Sequence, residues 1–387
     1  MADPSTCPPL TRSSVEAAHE LIKPYVHRTP VLTCSTLNLL ASTPRTPAER
    51  GELGLPPLLE GEKFASPTVR LYFKCENLQK VGAFKARGAF HAVERLKMSP
   101  EWEAGAKKNG VVTHSSGNHA AALALAARTN SIPAHIIMPT ISPASKIAAT
   151  RGYGANIIFS GSTAPERESV CKRVQEETGA TLVPPYDHPD IVLGQGTMGL
   201  ELQEQAPELF PGPGGGNGRK KAHLDAIITP CSGGGMLSGV ALSCSSPGSD
   251  PPTRGRHTRV FGAEPSFQGA DDLCRSLRSG ARIREVSSLT MADGLRTPVG
   301  DVPWYLIRER GLVAMCLVLE RMKLVVEPSA AVPLAVILYN EEFRLLAQTE
   351  AGPEGGWDIG VVFSGGNCAV ERMVDLFAPA TAVTSTR

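Results

Sequence analysis

Four short segments of this sequence carry residue types that could together hold and use a reactive aldehyde. The first segment contains Lys85, which follows a Gly-Ala-Phe turn and precedes the small residues of a helix start. A lysine amine condenses with an aldehyde and, once released, can act as a base on a neighbouring carbon atom. Alone this lysine is a weak signal, because most Phe-Lys-x-Arg stretches are solvated helix faces. The other three segments, which follow in order along the chain, strengthen it: Ser115–His119, Ser232–Met236 and Ser364–Asn367.

The segment Ser232-Gly233-Gly234-Gly235-Met236 is a glycine-rich loop between an apolar strand pattern and a helix. Glycines allow successive backbone N–H groups to converge on an anion, and the positive end of the following helix adds to the attraction. The loop lacks both the Gly-Lys-Ser/Thr ending of a nucleotide P-loop and the Gly-x-Gly-x-x-Gly spacing of dinucleotide-binding loops. It therefore predicts a cradle for the phosphate of a phosphorylated aldehyde.

This order of lysine, asparagine-containing turn, triple-glycine loop and late Ser-Gly-Gly-Asn closely resembles the fold type II (β-family) pyridoxal-phosphate enzymes. The resemblance covers roughly residues 14–375 and is strongest to the serine racemase, serine/threonine dehydratase and 3-hydroxyaspartate dehydratase group. It implies two doubly wound α/β domains built on parallel sheets, with pyridoxal 5'-phosphate in the cleft between them. It also implies a homodimer that acts on a small amino-acid substrate.

The resemblance assigns the cofactor contacts. Lys85 would form the covalent link and remove the substrate's α-proton, with Phe84 beside it, and residues 232–236 would hold the phosphate. Asn118 would meet the ring hydroxyl, although capping of its own helix remains open as an alternative. Ser364 would face the pyridine nitrogen. A neutral hydroxyl does not force that nitrogen to be protonated, which favours β-elimination over transamination.

The substrate contacts bear on the reaction type. Since Lys85 serves one face of the α-carbon, racemisation needs a second acid/base group, and relatives that racemise serine have a serine at the position of Ser116. Some hydroxyaspartate dehydratases share this serine, so both activities stay open. Ser115, Ser116, Asn118 and His119 are candidates to bind the substrate carboxylate. We expect His119 to be a hydrogen-bonding helix residue rather than a general base.

A second candidate site follows the triple-glycine helix. By the same resemblance, Glu264, Ala270 and Asp272 match the positions at which relatives bind a divalent cation. Two carboxylates and a backbone carbonyl suit Mg²⁺ or Ca²⁺. A solvated acidic loop is the alternative interpretation.

The chain also departs from its relatives. Ala121 replaces a polar residue of those that bind a nucleotide effector, so nucleotide activation is not implied even though Lys80 is present. The segment 185–190 is closer to hydroxyaspartate dehydratases than to animal serine racemases. The connection before Val318 is shorter than in relatives, which motivates a third hypothesis, a catalytically inactive cofactor-binding protein.

The elements that must position these residues alternate between short apolar runs and helical patterns. Helices are predicted at Asn118–Arg128 and Ala164–Glu177, and Ser142 is predicted to cap a helix that starts at Pro143 and closes at Gly152. Continuous apolar strands between helices indicate a buried parallel sheet. The predicted strands are Val69–Phe73, Gly110–Thr113, Ala134–Met138, Asn156–Phe159, Ala226–Thr229, Arg259–Gly262 and Gly360–Phe363.

Length and resemblance together predict two domains. Residues 1–97 and 188–387 would form a large cofactor-binding domain, and residues 98–187 a small domain between them. Segments rich in proline, glycine and charge predict surface insertions near 43–67, 211–221 and 245–259.

Composition excludes several function classes. The formal net charge of the 387 residues is +1, which gives no electrostatic case for nucleic acid or an anionic membrane surface. Nine cysteines without a C-x-x-C pair argue against a zinc ribbon or a disulfide scaffold and fit reduced thiols. The sequence shows neither a secretory leader pattern nor an apolar run of roughly 20 residues, so we expect a cytoplasmic protein.

Overall fold

The computed structural model describes most of the chain. The described residues are 7–48, 64–115, 117–210, 223–245, 258–265, 267–286, 288, 290, 292–295, 318–371 and 373. Ser116, the whole predicted insertion 211–221, most of the predicted insertions 43–67 and 245–259, and the connection before Val318 therefore lie outside the described residues.

Within these residues the strands form two sheets. The larger sheet has the order β1-β2-β9-β7-β8 and the smaller one β5-β4-β3-β6. Every pairing is parallel except that of β1 with β2. The strands are β1 Val31–Leu32, β2 Val69–Cys75, β3 Val111–His114, β4 Ala134–Pro139, β5 Asn156–Ser160, β6 Thr181–Leu182, β7 Ala226–Pro230, β8 Arg259–Ala263 and β9 Trp357–Phe363.

Helices cover the sheets. The described helices of eight residues or more are α1 Arg12–Ile22, α2 Ser35–Ser42, α3 Lys85–Lys97, α4 Asn118–Thr129, α5 Ala144–Gly152, α6 Ala164–Thr178, α7 Pro189–Gln205, α8 Gly235–Ser243, α9 Asp272–Ser279, α10 Pro328–Tyr339 and α11 Glu341–Gly355. None of the helices in the described part of the chain is both long and apolar enough to cross a membrane.

The larger sheet is buried on both faces, which confirms the predicted doubly wound α/β fold. Along β2, Leu71 and Phe73 join a core cluster that includes the apolar side chains of α10. Tyr72, between them, points to the other cluster, in which Met198 of α7 and Val240 of α8 pack. Alternate residues of one strand thus reach opposite helix layers, as a central strand requires.

The two sheets draw on different parts of the chain. All strands of the smaller sheet lie between residues 111 and 182, whereas those of the larger sheet come from both sides of that range. This arrangement agrees with a large domain interrupted by a small one. The boundaries at 97/98 and 187/188 stay a prediction.

Two local predictions need correction. Ser142 does not cap the following helix: the capping residue is Pro143, with ψ of 137°, and α5 begins one residue later. Proline has no N–H, so it can stand at this boundary without losing a bond. The segment 43–67 is not wholly at the surface, because Ala65 is buried and its carbonyl accepts from the guanidinium of Arg344, as does that of Thr43.

A buried charge cluster holds α3 in place. The guanidinium of Arg87 forms hydrogen bonds with Glu76, which follows β2, and with Glu201 of α7, each at 2.8 Å. Lys74 donates to the same Glu201 at 2.6 Å, and all four side chains are almost fully buried. Breaking such a cluster by removing one partner costs about 3–5 kcal/mol, because a buried charge is left alone. The first turn of α3 is therefore anchored both to the end of β2 and to α7.

Candidate active site

The carboxyl ends of three adjacent parallel strands bring the predicted cofactor residues together. β2, β9 and β7 are neighbours in the sheet and run in the same direction. β2 leads to Lys85, β9 ends directly before Ser364, and β7 leads to the loop at Ser232. In open α/β sheets this edge is the usual place for a ligand.

Lys85 is the first residue of α3 and is turned into this edge. Its ammonium donates to the backbone carbonyl of Pro185 at 2.6 Å and lies 5.0 Å from the centre of the Phe84 ring. Burial lowers the pKa of Lys85 to about 8, partly offset by the carboxylate of Glu327. An ordinary lysine, with a pKa near 10.4, is almost entirely protonated at neutral pH. Lys85 therefore reaches its reactive free-base form much closer to neutral pH.

The backbone connects Lys85 to the end of β9. Phe84 donates its N–H to the carbonyl of Ser364 at 3.0 Å, and Ala83 pairs with Gly365 in an isolated bridge. Ser364 is buried. The lysine turn and the Ser-Gly-Gly-Asn segment, which are far apart in the sequence, are thus hydrogen-bonded neighbours.

Asn118 lies in a side-chain network that the sequence did not reveal. Its amide nitrogen donates to both carboxylate oxygens of Glu327 at 3.1 Å, and its amide oxygen accepts from Asn367 at 2.9 Å. The residue that caps α4 is Gly117, so the interpretation of Asn118 as a helix cap is wrong. Glu327 is the functional candidate that sequence analysis missed. The sequence signal that could have found it is an acidic residue directly before the apolar helix α10, and the structure shows that this residue is buried.

The glycine loop fits a phosphate group. Gly234 has a φ of 84° and caps α8, whose first N–H groups have no acceptor within the helix. These groups and the positive end of the helix are the features that bind phosphate. Tyr186 packs against the loop: a Cβ on Gly233 would lie 2.4 Å from its ring, and one on Gly235 would lie 2.9 Å from its carbonyl oxygen. Glycine is therefore required at both positions.

The predicted substrate-binding turn follows β3 of the smaller sheet. The Ser115 hydroxyl accepts from the N–H of Gly117 at 3.3 Å. His119 is buried and its Nε2 lies 3.2 Å from the carbonyl of Val183. Burial and, to a smaller extent, the charge of Lys85 lower the pKa of His119 to about 3. An imidazole with so low a pKa is a weak base near neutral pH, which agrees with the expectation that His119 is a hydrogen-bonding residue and not a general base.

The predicted cation ligands lie at the start of α9. Glu264, Ala270 and Asp272 are all buried, which argues against the solvated acidic loop. The Glu264 carboxylate accepts the N–H groups of Leu273 and Cys274 at 3.1 and 2.9 Å. Burial and the nearby charge of Asp272 nevertheless raise the pKa of Glu264 to about 8. Two buried carboxylates that repel one another fit a site for a hard cation.

A different group of potential ligands, Cys7, His188 and Asp190, has atoms within 4.8 Å of one another. The Cys7 thiol donates to Asp190 at 3.6 Å, and the N–H of Asp190 donates to His188 Nδ1 at 3.2 Å. That bond leaves the imidazole proton on Nε2, which faces the sulfur at 4.0 Å. To bind a metal together with Cys7, the His188 ring would need a lone pair on Nε2, so its proton would have to move to Nδ1 or the ring would have to turn. We therefore interpret the group as a hydrogen-bonded cap of α7.

The sequence and the fold are similar to those of known proteins. The chain is 39% identical to a serine racemase of Arabidopsis thaliana, over 94% of this chain and 95% of the relative. It is 36% identical to an L-threo-3-hydroxyaspartate ammonia-lyase of Saccharomyces cerevisiae, over 95% and 96%. The solved structure of maize serine racemase superimposes with a TM-score of 0.73 at 39% identity, over 95% of this chain and 96% of that one. Residues 51–365 match the family described as "Pyridoxal-phosphate dependent enzyme". The chain therefore belongs to the family of pyridoxal-phosphate-dependent enzymes.

Proposed function

We propose that this protein is a pyridoxal-phosphate enzyme that racemises or dehydrates small β-hydroxy amino acids, with serine and threonine as the first candidates. The observation that carries the proposal is the position of Lys85. Its side chain lies where the glycine loop, Ser364 and Asn118 converge, and its pKa is lowered. Relatives that are named serine racemases cover more than nine tenths of the chain.

In this proposal each residue has a defined task. Bound pyridoxal phosphate would supply an electron sink for negative charge on the substrate's α-carbon. The amine of Lys85 would hold the cofactor through its aldehyde and, as the free amine, would take the α-proton from one face. Ser116 exchanges a proton at the other face. Residues 232–236 hold the phosphate, and Asn118 is oriented by Glu327.

A substrate panel tests the proposal. The purified protein is loaded with cofactor and treated with borohydride, which fixes the covalent link to lysine for mass spectrometry. A separate sample of the cofactor-loaded protein, not treated with borohydride because reduction inactivates the link, is assayed with L-serine, D-serine, L-threonine and 3-hydroxyaspartate for 2-oxo acid and, by chiral chromatography, for the opposite enantiomer. A trapped cofactor without turnover of any of the four would support the catalytically inactive protein instead.

The alternative substrate is 3-hydroxyaspartate, in an ammonia-lyase reaction at the same site. It is favoured by relatives with that activity in Saccharomyces cerevisiae and Pseudomonas, at 36% and 35% identity. A 2-oxo acid from 3-hydroxyaspartate alone, without racemisation of serine, would select this alternative. We further propose a cytoplasmic homodimer, which sedimentation and cell fractionation can test.

Replacing Ser364 with aspartate is expected to reduce elimination activity at least about tenfold, or about 1.4 kcal/mol of activation free energy. An aspartate would protonate the ring nitrogen, whereas the serine hydroxyl does not. Ser364→Ala, which adds no charge, is the control and should lose less. Circular dichroism should show an intact fold in both, since the contact with Phe84 uses the backbone. Full elimination activity in Ser364→Asp would contradict the proposal that Ser364 keeps the pyridine nitrogen from being protonated.

We also propose a Mg²⁺ or Ca²⁺ site formed by Glu264, Asp272 and the carbonyl of Ala270. Chelation is expected to lower thermal stability and added cation to restore it, by about 2.7 kcal/mol at a cation concentration one hundred times Kd. The cation needs an ionised carboxylate and the pKa of Glu264 is raised to about 8, so cation affinity should fall as the pH decreases below 8.

Glu264→Ala should lose this response to chelator. Asp271→Asn, at the neighbouring residue that caps α9 and pairs with Arg275, should keep it. The cation assignment is wrong if the unmodified protein shows the same melting temperature with chelator and with either cation.

A further inference from the structure

A turn shortly before Lys85 has an unfavourable backbone conformation. Val81 has a φ of 57° and a ψ of 14°, which places a β-branched residue in the left-handed region. Such a residue is an outlier there, and strained conformations of this kind persist where the surrounding structure enforces them, often at functional sites. The turn at Val81 therefore requires a contact that holds it.

The segment that follows β9 supplies this contact. Residues 82–84 pair with residues 364–366 through their backbones. One step further along the same pairing, the side-chain amide of Asn367 donates to the carbonyl of Val81 at 2.8 Å. The same amide nitrogen donates to the side-chain oxygen of Asn118 at 2.9 Å. Asn367 therefore connects the strained turn with Asn118.

These bonds fix the orientation of the Asn118 amide. The carbonyl of Val81 can only accept, so the amide nitrogen of Asn367 must face it, and this nitrogen also faces the oxygen of Asn118. The nitrogen of Asn118 is thereby directed to the carboxylate of Glu327, 3.1 Å from both oxygens. A reversed Asn118 amide would place its oxygen against the carboxylate and its nitrogen against another donor.

The fixed amide keeps one N–H for a ligand. The two oxygens of one carboxylate lie close together, whereas the two N–H bonds of an amide diverge widely, so a single N–H of Asn118 serves both oxygens of Glu327. The described residues offer the second N–H no acceptor. Asn118 is also the residue that, by resemblance to other family members, meets the ring hydroxyl of the cofactor.

We infer that Asn367 is a positioning residue for the cofactor, because it holds the Asn118 amide so that an N–H, and not the amide oxygen, faces the ring hydroxyl. This inference rests on the proposed function. Asn367 acts through Asn118 and does not itself contact the cofactor. Its own anchor is the carbonyl of Val81 in the left-handed turn.

The test compares Asn367→Ala, which removes the amide, with Asn367→Asp, which keeps its size but cannot donate to Asn118. Asn367 is exposed, so truncation leaves no internal cavity. Asn130→Ala is the matched control, since the Asn130 amide also forms two hydrogen bonds, at the other end of α4. Cofactor-free protein is titrated with pyridoxal 5'-phosphate, and Kd is read from the absorbance. The pH midpoint of the absorbance change is measured on the loaded protein.

Asn367→Ala is expected to weaken cofactor binding about threefold to tenfold, the effect of one lost hydrogen bond. Asn367→Asp should weaken it further, although it is closer in size to asparagine, because two carboxylates would then compete for the amide nitrogen of Asn118. The pH midpoint should rise in both variants, since a ring hydroxyl that loses a hydrogen-bond donor to its oxygen ionises less readily. Asn130→Ala should match the unmodified protein in both measurements.

A double substitution tests the route of the effect. In an Asn118→Ala background, Asn367→Ala should change Kd less than about twofold, because the residue through which it acts is gone. The inference is overturned if the two effects on Kd add in full, if Asn367→Asp binds the cofactor as well as the unmodified protein does, or if Asn130→Ala weakens binding equally.

The inference is also overturned if the pH midpoint is the same in the unmodified protein and in both Asn367 variants, or if the unmodified protein does not bind the cofactor. The proposed function fails separately, by absence of turnover in the substrate panel, because the titrations do not depend on turnover.

Discussion

Replacing Lys85 with alanine is expected to abolish turnover and the covalent attachment of the cofactor together. Lys85 is the lysine whose ammonium lies at the converging strand ends, and its pKa is lowered to about 8. Loss of a positioned base alone costs about 10²–10⁴-fold in rate, and the loss of the covalent link adds to it. Borohydride trapping followed by peptide mass spectrometry and the substrate panel measure both effects.

Lys97→Ala is the matched control, because Lys97 is the last residue of the same helix and pairs with Glu94 rather than with a residue of the candidate site. This variant should retain the trapped cofactor and full activity. If Lys85→Ala still carried a borohydride-trapped cofactor on another lysine, the assignment of Lys85 would be wrong.

Ser116→Ala is expected to separate two activities of one active site. If Lys85 works at one face of the α-carbon and Ser116 at the other, the variant loses racemisation while it retains elimination from the enantiomer whose proton faces Lys85. A positioned acid/base contributes about 10²–10⁴-fold. With water as a substitute acid, the two activities should still differ by at least roughly tenfold. Both can be followed in one assay, by chiral chromatography and 2-oxo acid formation.

Ser115→Ala is the companion variant, since the Ser115 hydroxyl accepts from the N–H of Gly117 and so shapes the turn. Its loss should affect both activities alike. Equal losses in Ser116→Ala would show that Ser116 positions the substrate and does not move protons. Absence of racemisation in the unmodified protein would identify a dehydratase.

Local sequence signals predicted the strands that position the site. Runs such as Ala226–Thr229 are rich in apolar and β-branched residues, and each of the seven predicted runs overlaps a strand in the structure. The two strands that were missed, β1 and β6, have two residues each, which is too short for any hydrophobic period to appear. Their pairing is set by neighbouring strands and not by their own composition.

Contacts between distant charged residues could not be predicted in the same way. Arg87, Glu76 and Glu201 look like surface residues in the sequence, yet they are buried because, together with Lys74, their charges balance. Glu327 likewise acts on distant residues: it accepts from Asn118, which is 209 residues away in the sequence, and its charge affects the pKa of Lys85. Such pairs depend on the tertiary fold, whereas the glycine loop and the lysine turn are recognisable from adjacent residues.

The place of β9 in the larger sheet has a consequence for the synthesis of the protein. β9, at Trp357–Phe363, lies between β2 and β7, which precede it by well over a hundred residues. The strands of the smaller sheet are contiguous in the sequence, so that sheet can form while the chain is still being translated. The larger sheet cannot close until β9 has left the ribosome. During that interval the edges of β2 and β7 stay unpaired, and unpaired strand edges are where a nascent chain aggregates or recruits a chaperone.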